Sequence, residues 1–418
     1  MDNDTIISPS AEQLRDRLVD DLLADKTVTS PRVEEAFRSV PRHVFAPGAP
    51  LEQVYSRDIV VVKRNEQGTP ISTVSAPEIQ ARMLEQAEIG PGMRVLEIGS
   101  GGFNAALIAE IVGTTGQVTT VDIDQDVTER ARAFLNEAGY ERVNVVLADA
   151  ETGMAEFAPY DRILVTAGAW DIPPAWTDQL AAGGRIVVPL RMRGVTRSLV
   201  LERAPGSDAD HLVSRSAEVC GFVKMQGAGA HTERLWLLRG EQVGLRFDDG
   251  ALEEPSLLDG VLASERAAVW SGVVVGRAEP FESLPLWLAT SLPGFCALTV
   301  DSSAGDPGLA VEAGGRWFPY AVAEGDSFAY LSTRPSGEGR VEFGAHGYGP
   351  HAADIAASLA GQVTVWDRDY RRGSGPDFAV WPIDTPAERL ATRPDRTAVI
   401  SKVHRHVTIS WPSVDSPH

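Results

Sequence analysis

The sequence predicts an α/β fold: a parallel-sheet core covered by helices, followed by a C-terminal α+β domain. Three observations carry this expectation. Strand-like and helix-like segments alternate from Met93 to Leu190. A glycine turn joins the first of these strands to its helix in "VLEIGSGGFNAALIAEI", Val95 to Ile111. From about His231 the pattern changes to short strand-like runs punctuated by glycine and proline. Short apolar strands separated by helices imply a parallel sheet buried on both faces. A length of 418 residues also exceeds what one hydrophobic core usually serves.

Between Ser10 and Val40, Leu14, Leu18, Leu22 and Leu23, then Val33, Ala36 and Phe37, recur at helical spacing. Two helices follow from this, the second entered at Ser30-Pro31. "VPRHVFAPGAP" breaks the periodicity with three prolines and a glycine. "VYSRDIVVVKRNEQGTPISTVSAPEIQARMLEQ" then combines a β-branched run, a loop and a helix starting after Pro77. Strand "MRVLEIGS" leads to helix "NAALIAEIVG", and strand "QVTTVDID" to helix "DVTERARAFLNEAG". "VNVVLADA" and "YDRILVTAG" are further strands, followed by a helix through "PPAWTDQLAA" and the strand "GGRIVVPL". "RSLVLERA" and "EVCGFVKMQG" are expected as added strands at one edge.

Beyond these lie the strand-like "LWLLRG", "VGLRFDDG", "AVWSGVVVG", "FAYLST" and "VEFGAHGYG", with helical stretches near "PLWLATSL" and "HAADIAASLAGQV". The expected division is 1–80, N-terminal helices and a loop covering the site; 81–228, the cofactor-binding core; and 229–418, the α+β domain. Trp236, Trp270, Trp287 and Trp317 read as core residues rather than a binding platform.

The composition, 43% hydrophobic and 23% charged, contains no apolar run long enough to span a bilayer. The acidic N-terminus lacks the basic and apolar regions of a secretory signal. Two distant cysteines, Cys220 and Cys296, have no metal-ligand spacing, so no metal site is expected. A reducing cytoplasm suits them. The net charge of -20 repels phosphate backbones and disfavours nucleic acid as a partner.

The glycine turn bears on chemistry. A dinucleotide fingerprint needs G-x-G-x-x-G. Gly99 and Gly101 fill the first two places, but Asn104 holds the third and Gly102 lies beside Gly101. Glu97, at the strand's end, would repel a pyrophosphate. A sulfonium and an ammonium would be welcome there, and S-adenosylmethionine carries both without a phosphate. Asp122, 23 residues after Gly99, is placed to meet the ribose, and Asp149, ending the third strand, the adenine amino group. Ser100, Ile123, Ala150 and Thr166 complete the expected cofactor set with Gly99, Gly101 and Gly102. Any one acid at a strand end can be merely solvated; their order is more specific. The pattern predicts a Rossmann-like, class I S-adenosylmethionine-dependent methyltransferase releasing S-adenosylhomocysteine. Glu97 and Asn104 disfavour a nicotinamide enzyme, and the intact loop and acids disfavour a scaffold without catalysis.

Several segments carry a family resemblance: "VPRHVFAP", "VYSRDIVV", "ISTVSAP", "VLEIGSGGFNAALIAE", "APYDRILVTAGAWDIPPAWTDQL", "GGRIVVPL" and "GFVKMQ". Over about 225 residues the chain resembles the protein-L-isoaspartate (D-aspartate) O-methyltransferases, with these segments in that family's order. The resemblance implies a carboxylate acceptor and a serine-containing loop, Ser72 to Pro77, closing over cofactor and substrate. An ionised carboxylate is already a nucleophile at pH 7 and needs no general base. Holding it in line can supply ~7–11 kcal/mol of the barrier. Neutral donors such as the Ser75 and Thr73 hydroxyls suit that task, and Ser75 matches the family's active-site serine. A helix cap before Pro77 is a second use for Ser75. Asp58 matches a family aspartate and is expected at the site's mouth, where a surface salt bridge is its alternative use. Ala76 and His231 are expected to touch substrate. His346 and His351 read as structural or exposed rather than catalytic.

The chain departs from the family's pattern at Gly102-Phe103-Asn104 and at Glu78, where many members have histidine. The larger departure is the appended domain. As a whole the chain resembles two-domain actinobacterial members associated with lanthipeptide and other ribosomal peptide clusters (the FxLD-system methyltransferases), through "CGFVKMQGAGAH", "VWSGVVVG", "LPLWLATSLPGF", "FAYLSTRP" and "FGAHGYGP". That implies an ordinary aspartate in a cyclised precursor peptide as acceptor, its ester closing to succinimide and opening to isoaspartate. Repair of damaged isoaspartyl proteins is the alternative.

Overall fold

The computed structural model describes residues 9–412 apart from residue 67 and residues 207–209, 251–253, 277, 302–308, 310–317, 338 and 391–395. Trp317 therefore lies outside the described residues. The chain forms two compact units. The first holds residues up to Leu190, Thr196–His231 and Val403–Arg405; the second holds Arg191–Val195, Thr232–Lys402 and the residues from His406 onward.

The first unit opens with α1 (Ala11–Ala24), entered through a capping box between Ser10 and Gln13. It continues to α2 (Pro31–Ser39), capped by Ser30 with proline in its first turn. A 3-10 turn over Arg42–Phe45 and the short α3 (Leu51–Val54) lead to the antiparallel hairpin β1 (Val60–Arg64) and β2 (Pro70–Val74). Then come α4 (Pro77–Ala87), β3 (Arg94–Ile98), α5 (Phe103–Val112), β4 (Gln117–Asp122), α6 (Gln125–Glu137), β5 (Asn144–Leu147) and β6 (Tyr160–Val165). After α7 (Pro174–Asp178) follow β7 (Leu180–Met192), β8 (Val195–Arg203) and β9 (Leu212–Val219).

In this unit the strands run in the order β9-β8-β7-β6-β3-β4-β5. β7, β6, β3, β4 and β5 pair in parallel, and β8 pairs antiparallel with β9. Parallel strands place their C-terminal ends on one side, where α/β proteins bind ligands. α5 is apolar almost all round because it is buried between the sheet and neighbouring helices. Val95, Leu107, Ile108 and Phe37 belong to one core with α1 and α2. Each such side chain contributes roughly 1.5–3 kcal/mol by leaving water.

Two boundaries differ from the sequence reading. The helix expected through "PPAWTDQLAA" is only Pro174–Asp178, because the chain turns at Gln179 and enters β7 at Leu180. The edge strand expected from "EVCGFVKMQG" ends at Val219, where its ladder with β8 stops. The following residues peel away and run beside Gly168, which donates its N–H to Val223 O at 2.7 Å. Three residues from the distant end of the chain also pack in this unit. His404 N–H donates to Asp171 Oδ2 at 2.6 Å and Arg405 Nη2 to Thr177 Oγ1 at 2.9 Å.

The second unit contains β10 (Arg234–Arg239), β11 (Val243–Phe247), β12 (Ala267–Gly276), α8 (Leu284–Ser291), β13 (Phe295–Val300), β14 (Tyr320–Glu324), β15 (Ser327–Pro335) and β16 (Arg340–Tyr348). It continues with α9 (Ala352–Asp369), β17 (Asp377–Pro382), α10 (Ala387–Leu390), β18 (Thr397–Ser401) and β19 (Arg405–Ser410). Seven strands form an antiparallel sheet ordered β10-β11-β13-β14-β15-β16-β12, with α9 against β12, β14, β15 and β16. Its own core includes Val243, Leu245, Leu298, Phe328 and Tyr330, with Trp236 packed against it. Trp287 packs tilted against Tyr370 and edge-on to Trp411, and Trp270 lies under the Arg334 guanidinium. Among the described residues no helix is long and apolar enough to cross a membrane.

Gly102 opens α5 at φ +86°, and a Cβ there would sit 3.0 Å from the Phe45 ring. Gly102→Ala is expected to cost about 1–3 kcal/mol, read as a lower urea midpoint with an unchanged far-ultraviolet dichroism spectrum.

Candidate active site

A cleft open to solvent lies in the first unit at the C-terminal ends of β3, β4 and β5. Its floor is the turn after β3. Gly99 takes φ +100°, and a Cβ would come within 2.6 Å of Thr166 Oγ1. That hydroxyl is 2.9 Å from Gly99 O and 3.1 Å from Ile98 O, so it braces the turn from β6's end. Ser100 N–H donates to Asp122 Oδ2 at 2.9 Å, and Asp124 N–H to Asp122 Oδ1 at 2.9 Å. Each Asp122 oxygen keeps a lone pair for a further donor. Burial raises the Asp122 carboxyl above its ordinary range.

Asp149 accepts from Glu151 N–H at 2.9 Å and Ala228 N–H at 2.8 Å. The second bond brings the loop around Gly227 down beside Asp149 and Ile123; a Cβ on Gly227 would lie 2.4 Å from Asp149 Oδ2. Glu97 is fully buried below this level. Asn104 Nδ2 donates to one of its oxygens at 2.8 Å and Thr120 Oγ1 to the other at 2.5 Å. Burial pushes its carboxyl up to about 7, against the lowering effect of Thr120 and Asn104.

The hairpin forms the opposite wall, with Ile71 to Ser75 facing the strand ends across the cavity. Two cations hold it. Lys63 Nζ on β1 donates to Asp124 Oδ2, the cap of α6, at 2.6 Å. Arg42 is 1% exposed and donates to Val54 O (2.8 Å), Gln80 Oε1 (2.9 Å) and Ser75 O (2.8 Å). Its guanidinium also lies 5.0 Å from the Phe103 ring centroid. Burial lowers its pKa to about 9. Arg42 thus fixes the backbone of the residue expected to meet substrate.

Glu97, Gly99, Ser100, Gly101, Asp122, Ile123, Asp149, Ala150, Thr166, Thr73 and Ser75 all line this cavity. Gly102, Ala76, Asp58 and His231 do not. Gly102 is the packing glycine of α5, and Ala76 is the cap of α4. Asp58 is exposed in the turn before β1, its N–H on Ser56 Oγ. His231 stacks flat on Trp170, with ring centroids 3.6 Å apart. His346 is buried with Nδ1 3.2 Å from the Tyr330 hydroxyl, and His351 stands at the residue before α9 without a side-chain capping bond.

The residues suit S-adenosylmethionine. The Ser100 hydroxyl is buried without a hydrogen-bond partner, and Asp122 and Asp149 end adjacent elements with accepting capacity left. Four carboxylates and a single basic residue, Lys224, occur among the described residues lining the cavity.

The family model described as protein-L-isoaspartate (D-aspartate) O-methyltransferase matches residues 12–229. The chain is 37% identical over 215 residues to the protein-L-isoaspartate O-methyltransferase of Methanopyrus kandleri, covering 51% of this chain and 91% of that protein. It is 39% identical over 197 residues to the Pyrococcus horikoshii enzyme of that name, covering 46% and 84%. The chain belongs to this family. It is an S-adenosylmethionine-dependent protein carboxyl methyltransferase. A solved Plasmodium falciparum member, in complex with S-adenosyl-L-homocysteine, aligns with TM-score 0.44 at 17% identity, covering 51% of this chain and 98% of that one. Residues from 230 onward lie outside the family match.

Within the family's segments, sequence reasoning gave no role to Arg42 or to the loop Phe222–Gln226, which lines the cavity with Lys224 and Met225. The segments "VPRHVFAP" and "GFVKMQ" were the available signal. Asn104 was read only as a missing glycine; its function is to hold Glu97.

Two outcomes test this site. Arg42→Leu strands the Val54 and Ser75 carbonyls, at about 1–3 kcal/mol for each buried group left unpaired. Urea unfolding should show a loss of that order, and methyl incorporation should fall with it. For Glu97, the folded-state pKa of about 7 exceeds the ordinary 4.5. The protonated carboxyl's share of stability is therefore full below about pH 4.5 and is lost as pH rises through 7. Glu97→Gln should flatten the stability decline between about pH 4.5 and 7 by up to about 3 kcal/mol, at about 1.4 kcal/mol per pH unit.

Proposed function

We propose that the chain methylates the side-chain carboxylate of an ordinary aspartate in a modified, lanthipeptide-type ribosomal precursor peptide. The ester then closes on the following backbone nitrogen, expelling methanol and leaving a succinimide, which water opens to isoaspartate. The observation that carries this reading is the second unit. It has its own seven-stranded sheet and core, and apart from Arg191–Val195 it falls outside the family match. Aspartate is abundant, so selecting one of them requires recognition beyond the acceptor pocket.

Asp122 and Asp149 hold the cofactor's hydroxyl and amino groups, and the Ser100 hydroxyl supplies a further polar contact. S-adenosylmethionine bound there supplies an activated methyl group. The Ser75 and Thr73 hydroxyls orient the acceptor carboxylate, while the hairpin carrying them excludes water. No protein base is needed, because the acceptor is ionised at neutral pH. Repair of isoaspartyl proteins is the second reading, favoured by the names of the relatives.

Incubation with labelled S-adenosylmethionine separates the two. A cyclised precursor peptide containing normal aspartate should be methylated efficiently, and an isoaspartyl peptide poorly. The reverse preference establishes repair. Ser75→Ala should lower turnover about 10- to 100-fold, the loss expected for a hydrogen bond to a charged group, with S-adenosylhomocysteine affinity retained.

A further inference from the structure

β10 stands at one end of the second unit's sheet, paired only with β11 among the described strands. Its residues alternate sharply. Trp236 and Leu238 pack on the core, whereas Leu235 and Leu237 are 55% and 45% exposed. Gly244, opposite Leu237 on β11, carries no side chain, and Leu235 lies over it, its Cδ1 2.9 Å from where a Cβ would stand. At the other end of the sheet, β12 is covered by α9. The β10–β11 register slips between Leu237 and Arg239, so the regular outward row of backbone groups spans Arg234 to Leu237. Native proteins usually blunt such an edge with charge or proline. Here the edge has two leucines in its middle.

We infer that β10 is a docking edge for an extended segment of the peptide substrate, which adds to the sheet as an eighth strand. This rests on the proposed peptide-methylating function and identifies where that peptide is read. Strand addition satisfies the outward N–H and C=O groups and places alternate apolar side chains against Leu235 and Leu237. β10 holds two arginines and no acid, which favours a peptide that is apolar and acidic over a basic one.

The test compares two synthetic peptides built on whichever acceptor, aspartate or isoaspartate, the native enzyme methylates. One has five residues; the other has twenty, with alternating valine and glutamate on both sides of the acceptor. Leu235→Asp with Leu237→Asp should raise KM for the long peptide at least tenfold. KM and kcat for the short peptide, and S-adenosylhomocysteine affinity, should not change. Backbone N-methylation of alternate residues in the long peptide should impose the same KM penalty on the native enzyme, an arm that requires no variant to fold. An unchanged KM for the long peptide overturns the inference, as does an equal loss on both peptides. Sedimentation showing that the double variant dissociates a native dimer assigns the edge to a second copy of the chain instead. If the native enzyme methylates neither acceptor, the failure belongs to the proposed function.

Discussion

The buried guanidinium of Arg42 sets the geometry on which the site depends. A charge removed from water is tolerated only when its donors are satisfied, and the three acceptors come from three different segments: α3, α4 and the turn at Ser75. Because one rigid fork must meet all three, the turn cannot shift without exposing unpaired groups. Lys63 closes the other end of the same hairpin onto the cap of α6. The wall that carries Thr73 and Ser75 is thus pinned at one end to α3 and α4 and at the other to the cap of α6, two residues beyond Asp122.

Opposite that wall, the electrostatics are those of a site for a cation. Asp122, Asp124 and Asp149 cluster at the strand ends, with Glu97 beneath them. The two departures from a dinucleotide fingerprint explain one another. An acid stands at position 97 and an asparagine at 104, and the asparagine amide satisfies the acid. Glu97 is enclosed, its two oxygens taken by Asn104 and Thr120, whereas Asp122 and Asp149 line the space.

Much of this was legible in the sequence because it is local. Alternating strands and helices, the glycine turn, and acids at fixed positions after strands depend on spacing along a few turns of chain. The parts that were missed depend on distance. Arg42 reads as one more charged residue in a proline-rich break until its partners at 54, 75 and 80 converge on it. Lys224 and the loop that carries it read as a strand because the apolar run continues past the point where β8 stops pairing. Gly102 adjoins the turn in the sequence, and its packing against Phe45, 57 positions earlier, is visible only in the fold. The stacking of His231 on Trp170, 61 positions earlier, is likewise invisible to its neighbours in sequence. Nothing in the local sequence marks Val403–Arg405 as part of the first unit.

Hydrogen exchange of the intact chain, with and without saturating S-adenosylhomocysteine, tests the central claim most directly. Slowed exchange should be confined to the turn 99–102, the strand ends near 122 and 149, the hairpin residues 71–75 and the loop 222–228. Protection at other places, or none at concentrations that saturate related enzymes, would contradict the assignment of this cavity as the methyl-transfer site.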